Sequence, residues 1–146
     1  MSTAGQISPD TVRSAAGVIV GFQVAAFTLR INREIEVGDR GGRTWLPAAD
    51  YVNLVSMTVA LVGFFIAPIM GFYGEPTAAK SLGLSLVLLA CYPYALAGHY
   101  ELFPGARVEP STGEKRTRDY CPRQEKSAIT VTLLLVLAYL LLVTLR

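Results

Sequence analysis

Polar side chains are scarce in the long apolar stretches of this sequence, and an unpaired polar group in hydrocarbon is costly enough to mark a functional candidate. Five stand out: Gln23, Arg30, Asn53, Tyr94 and His99. At a rise of about 1.5 Å per residue through an apolar layer of about 30 Å, Arg30 and Asn53 fall at similar depth, roughly 12 to 14 Å from the midplane. His99 lies close to that level, Tyr94 lies deeper, and Gln23 is near the centre. If they converge, they form a pocket for an anion or a small polar ligand at one end of the helices. The plainer alternative has Gln23 and Asn53 hydrogen-bonding neighbouring helices, worth about 0.6 to 2 kcal/mol each, with Arg30 and His99 at the interface.

Other chemistry is poorly supplied. No acidic residue or lysine lies in the central apolar stretches, which removes the usual groups for proton relay and cation coupling. The two cysteines, Cys91 and Cys121, are expected at different depths and on the reducing side, so a disulfide is not expected. Arg118 and Arg123 flank Cys121 and would lower its pKa, but an inert thiol is the simpler reading. One histidine and two scattered cysteines do not build a structural zinc site in one chain. Phosphate-binding loops, nucleophile elbows and paired catalytic carboxylates are missing from the sequence, and no cofactor is expected. The basic residues mix with nearly as many acids, which leaves no nucleic-acid footprint.

The elements that must position these residues are read from the uncharged runs. Ser127 to Leu145 gives 19 such residues and Tyr51 to Gly74 gives 24, while Ser81 to Tyr100 gives 20 with His99 neutral. About 20 residues cross a bilayer core. The shortest run, Ser14 to Leu29, lies between Arg13 and Arg30, whose aliphatic stems extend it. The expected fold is therefore all-α: a polytopic membrane protein built as a small four-transmembrane-helix bundle, in one domain. Its spans run over about 12–31, 50–73, 80–99 and 126–145, with connections at about 32–49 and 100–125. Ten of the 13 lysines and arginines fall in or beside the two long connections, which puts these in the cytoplasm and both termini outside. Arginine outnumbers lysine ten to three, a bias of GC-rich bacterial genomes, so the expected location is a bacterial plasma membrane.

Small residues spaced three or four apart let helix backbones approach in lipid. Gly17, Gly21, Ala25 and Thr28 form one such stripe; Asn53, Ser56, Ala60, Gly63, Ala67 and Gly71 form another. Spans one and two are thus expected to make the tightest contact, unless a stripe serves a homo-oligomer. Leucines wrap nearly every face of the fourth span, which predicts a peripheral, lipid-facing helix. Pro68 and Pro93 predict kinks in spans two and three. The function expected from these features is a non-enzymatic oligomerising or accessory membrane subunit, partnered by the lipid bilayer and by itself or another membrane protein. The alternative is a small transporter or channel using the polar cluster.

Overall fold

The computed structural model describes residues 8–42, 44–100, 102–103 and 121–145. The described residues are all-helical, and four helices are long and apolar enough to cross a membrane: α1 (Pro9–Asp39), α2 (Ala48–Ile69), α3 (Glu75–His99) and α4 (Arg123–Thr144). Most of the second long connection, with Glu109, Glu114, Arg118 and Tyr120, lies outside the described residues.

The helix ends follow local chemistry. Ser8 caps α1 by accepting from the Thr11 amide at 3.2 Å. Its other end closes at Gly41, whose φ of +73° suits glycine, with Gly41 N–H donating to Gly38 and Gly42 N–H to Val37. The same motif ends α2 four residues earlier than the hydrophobic run suggests. Gly71, at φ +75°, donates to Pro68 and Phe72 donates to Ala67, turning the chain into the short link to α3. Pro47 and Pro122 stand at the N-cap positions of α2 and α4.

Pro68 acts on α2 without interrupting it. The helix widens to π geometry over Val59–Ile66, and the Ala67 amide donates back to Val62. In that register the Gly63 carbonyl would look to the nitrogen of Pro68, which has no hydrogen. The Tyr73 hydroxyl donates to it instead, at 2.6 Å. Pro93 sits on an exposed face of α3, which continues unbroken to His99.

α3 packs extensively on both α2 and α4, whereas α1 touches α2 along a much thinner seam. This reverses the expectation that spans one and two pack most tightly. Close approach is set on α3: a Cβ on Gly98 would lie 2.8 Å from the Gln124 backbone, and one on Gly63, in the expected α2 stripe, would lie 2.8 Å from the Ser81 Cβ. Along α2, Ser56, Ala60 and Ala67 are buried, as a packing stripe requires. Along α1, Gly17, Gly21, Ala25 and Thr28 all face outward, and nothing lies within 4 Å of either glycine's Cβ position. The inward face of α1 is Ala16, Gln23 and Arg30, spaced seven apart. α4 exposes its leucines as expected and meets the others mainly through α3.

Candidate functional site

Polar burial is concentrated in the half of the molecule where α1 and α3 end and α2 and α4 begin, the end that carries both long connections. Its outer layer centres on Asp50, in the first turn of α2 and without solvent exposure. Arg30 Nε donates to both carboxylate oxygens, at 3.1 and 3.3 Å, and the Tyr92 hydroxyl of α3 donates to Oδ1 at 3.2 Å. The same guanidinium donates through Nη1 to the Tyr100 hydroxyl and lies 3.5 Å from Glu34. Arg33 also donates to Tyr100, at 2.7 Å, with its guanidinium 4.6 Å from the ring centroid. Three helices and the residue following α3 are thereby tied by one ion-paired group.

A second carboxylate works beside the first. Pro47 offers α2 no side-chain cap, so the first amides of that helix need an outside partner. Glu125, fully buried on α4, supplies it: Oε1 accepts from the Ala49 amide at 2.9 Å, and Oε2 pairs with His99 Nδ1 at 2.9 Å. The imidazole meets Trp45 and Tyr100 edge-on, with centroids 6.3 and 5.2 Å away. Both carboxylates thus sit at the positive end of α2, where the aligned peptide dipoles favour negative charge.

Towards the centre, Gln23 Nε2 donates to Ser56 Oγ at 2.6 Å. Ser56 Oγ donates in turn to the Ser85 carbonyl at 2.7 Å, and Ser85 Oγ returns a bond to the Ser56 carbonyl at 2.9 Å. Asn53 Nδ2 donates to the Gln23 carbonyl at 3.3 Å. Gln23 Oε1 and Asn53 Oδ1 are buried with no hydrogen-bond partner among the described residues.

Of the five residues singled out in the sequence, Gln23 and Asn53 therefore meet directly. Arg30 lies one layer outward and joins them through α2, while His99 belongs to the Glu125 branch. Tyr94 does not join: it is 65% exposed on the outer flank of α3, and Tyr92 takes the inward position. Asp50 and Glu125 are the residues that sequence reasoning missed. The available signal was Asp50, an acid at the membrane level of Arg30; Glu125 is read most simply as a cap for its own helix.

Two cavities flank this network. One, of about 600 Å³, opens on the outer flank between α3 and α4 near Tyr94 and Arg123. The other, of about 520 Å³, lies at the opposite end among Phe64, Phe65, Pro68 and Tyr73, under the Arg13–Glu75 ion pair. Among the described residues no group of His, Cys, Asp or Glu is placed to hold a metal. Cys91 and Cys121 are free thiols, and burial, with the Glu125 carboxylate adding to it, pushes the Cys121 thiol up from its ordinary pKa. That is the opposite of activation by the neighbouring arginines. Compared with family models, with curated proteins and with solved structures, the chain has no significant match, so its function rests on its own residues.

Proposed function

We propose that this chain is a multi-pass subunit of a bacterial plasma membrane that acts by assembling with other membrane proteins, a second copy of itself included, and not by catalysis. The long connections are cytoplasmic and the termini outside, following the charge bias. The carrying observation is the outward small-residue face of α1, Gly17, Gly21, Ala25 and Thr28. In lipid such a face gains little from hydrocarbon and much from another backbone. The thin seam between α1 and the rest leaves the outward face of that helix available, while Arg30–Asp50 ties its inward face to α2 and Glu125–His99 ties α4 to α3. These charged groups satisfy one another, which supports an anchoring role over a passage for solutes.

The test is the size of the particle extracted in mild detergent, measured by light scattering after gel filtration. Wild type is expected as an oligomer or with companion proteins, and Gly17→Leu/Gly21→Leu as a smaller particle with an unchanged melting temperature. A wild-type protein running as a lone monomer would contradict the reading. A second reading, a small transporter or channel, draws support from the unpartnered Gln23 and Asn53 oxygens in the buried layer. Solute or ion flux in liposomes that is lost in Gln23→Leu would favour it.

A further inference from the structure

The cavity between α3 and α4 has a vertical order of chemistry that the assembly reading does not use. At its mouth stands Arg123, exposed in the first turn of α4, and exposed Lys126 follows three residues on, outside the cavity lining. Neither cation has a carboxylate partner among the described residues; Arg13, Arg30 and Arg40 each have one, and Arg33 and Lys80 donate instead to the Tyr100 hydroxyl and the Val143 carbonyl. The roof is Phe103, held by a reciprocal pair in which its amide donates to Gln124 Oε1 at 3.1 Å and its carbonyl accepts from Gln124 Nε2 at 3.0 Å.

About one helical turn deeper comes Tyr94. Gly98 packs against Gln124 and Gly83 against Tyr139, so the antiparallel register sets Tyr94 level with Ala128. Below that point the walls are Ala90, Cys91, Val131, Thr132 and Leu135, and the Thr132 hydroxyl is spent on the Ala128 carbonyl at 2.9 Å. From Arg123 to Leu135 the groove runs about 18 Å along α4, which matches one leaflet, half of a hydrocarbon core of about 30 Å.

We infer that this groove binds one anionic phospholipid of the cytoplasmic leaflet, its phosphate at Arg123 with Lys126 adding charge from outside the lining, its ester region beside the Tyr94 hydroxyl, and one acyl chain along Val131 and Leu135. Cation, hydroxyl and apolar wall follow one another in the order of phosphate, ester and chain. A peptide helix, its backbone already paired internally, would bring the apolar walls a match but no phosphate to the cation at the mouth. The site rests on the membrane placement but not on the assembly of subunits.

The experiment is native mass spectrometry of the whole chain, exchanged into delipidating detergent and offered phosphatidylglycerol or phosphatidylcholine with the same acyl chains. Wild type is expected to retain phosphatidylglycerol at least about five-fold over phosphatidylcholine, the attraction of one surface cation. Arg123→Gln/Lys126→Gln is expected to equalise the two lipids. Val131→Trp, at a position already 54% exposed and so tolerated by the fold, is expected to lower retention of both. Equal retention by wild type, a preference that survives both variants, or displacement of the lipid by millimolar inorganic phosphate would overturn the site. A chain that needs detergent for extraction yet shows no preference loses the lipid site alone; one that leaves the membrane without detergent loses the membrane placement as well.

Discussion

Removing the carboxylate of Asp50 is the sharpest perturbation of the network. Asp50 has no solvent exposure and the Arg30 side chain only 9%, so water cannot replace either partner. In Asp50→Ala the guanidinium keeps Tyr100 and the longer contact to Glu34 but loses two bonds at 3.1 and 3.3 Å, and the Tyr92 hydroxyl loses its acceptor. Breaking a buried pair from one side costs about 3 to 5 kcal/mol, and the surviving Glu34 contact places this variant near 3 kcal/mol. Asp50→Asn keeps the shape and one acceptor, and should cost about 1.5 to 3 kcal/mol. Arg30→Met should cost less than Asp50→Ala, because Asp50 retains Tyr92 and the positive end of α2. The double variant Arg30→Met/Asp50→Leu leaves no orphaned charge and should return to within about 1 kcal/mol of wild type. Unfolding by dodecyl sulfate in mixed micelles measures all four, read by the single tryptophan, Trp45, packed against His99. If Asp50→Ala costs no more than an exposed pair, about 0 to 1 kcal/mol, or if the double variant loses the sum of the two singles, the buried pair does not hold these helices.

Other perturbations report on separate parts of the molecule. Glu125→Ala uncovers the Ala49 amide and should destabilise by about 1 kcal/mol or more, with Glu125→Gln milder, in the same micelle titration. Tyr73→Phe strands the Gly63 carbonyl in α2 and should cost about 1 to 3 kcal/mol, seen as a lower melting temperature in detergent. Gly98→Ala drives a methyl into the Gln124 backbone, which cannot rotate away as a side chain would, and should cost about 1 to 3 kcal/mol, whereas Gly21→Ala should leave the melting temperature unchanged. The raised pKa of Cys121 keeps its thiol protonated through neutral pH, so maleimide labelling should be slower in the folded than in the unfolded chain. Labelling of the folded chain should accelerate only as the pH rises past the ordinary thiol range.

The four helices were legible because length and absence of charge are enough to mark a helix able to cross a bilayer. α1 runs on past its expected span to Asp39 and stops among Gly38, Gly41 and Gly42, where the reversal at Gly41 needs a positive φ. Helix faces were harder to read. In a soluble bundle the apolar side faces inward, but for helices apolar enough to lie in lipid both surroundings and interior are apolar, so the hydrophobic pattern of α1 carries almost no direction. The glycine stripe pointed to the wrong side, and the two polar residues seven apart, Gln23 and Arg30, mark the side that packs. Tyr92 and Tyr94 are two residues apart and face different ways, a choice that composition alone does not make. Asp50 and Glu125 were obscured by position: an acid in a first helical turn is explained by its own helix, and only the fold shows Glu125 turned towards α2. The small-residue pattern of α2 was easier, because Ser56 both fits closely and finds a hydrogen bond on α3.

The account depends most on four crossings with both long connections on the same face of the membrane. In a background with Cys91 and Cys121 replaced by serine, single cysteines at Thr77, in the first turn after the short α2–α3 link, and at Thr44, in the first long connection, are exposed to a membrane-impermeant maleimide on intact cells. Labelling at Thr77 before lysis and at Thr44 only after it is the predicted result. Labelling of both positions in intact cells, or of neither until lysis, would contradict it.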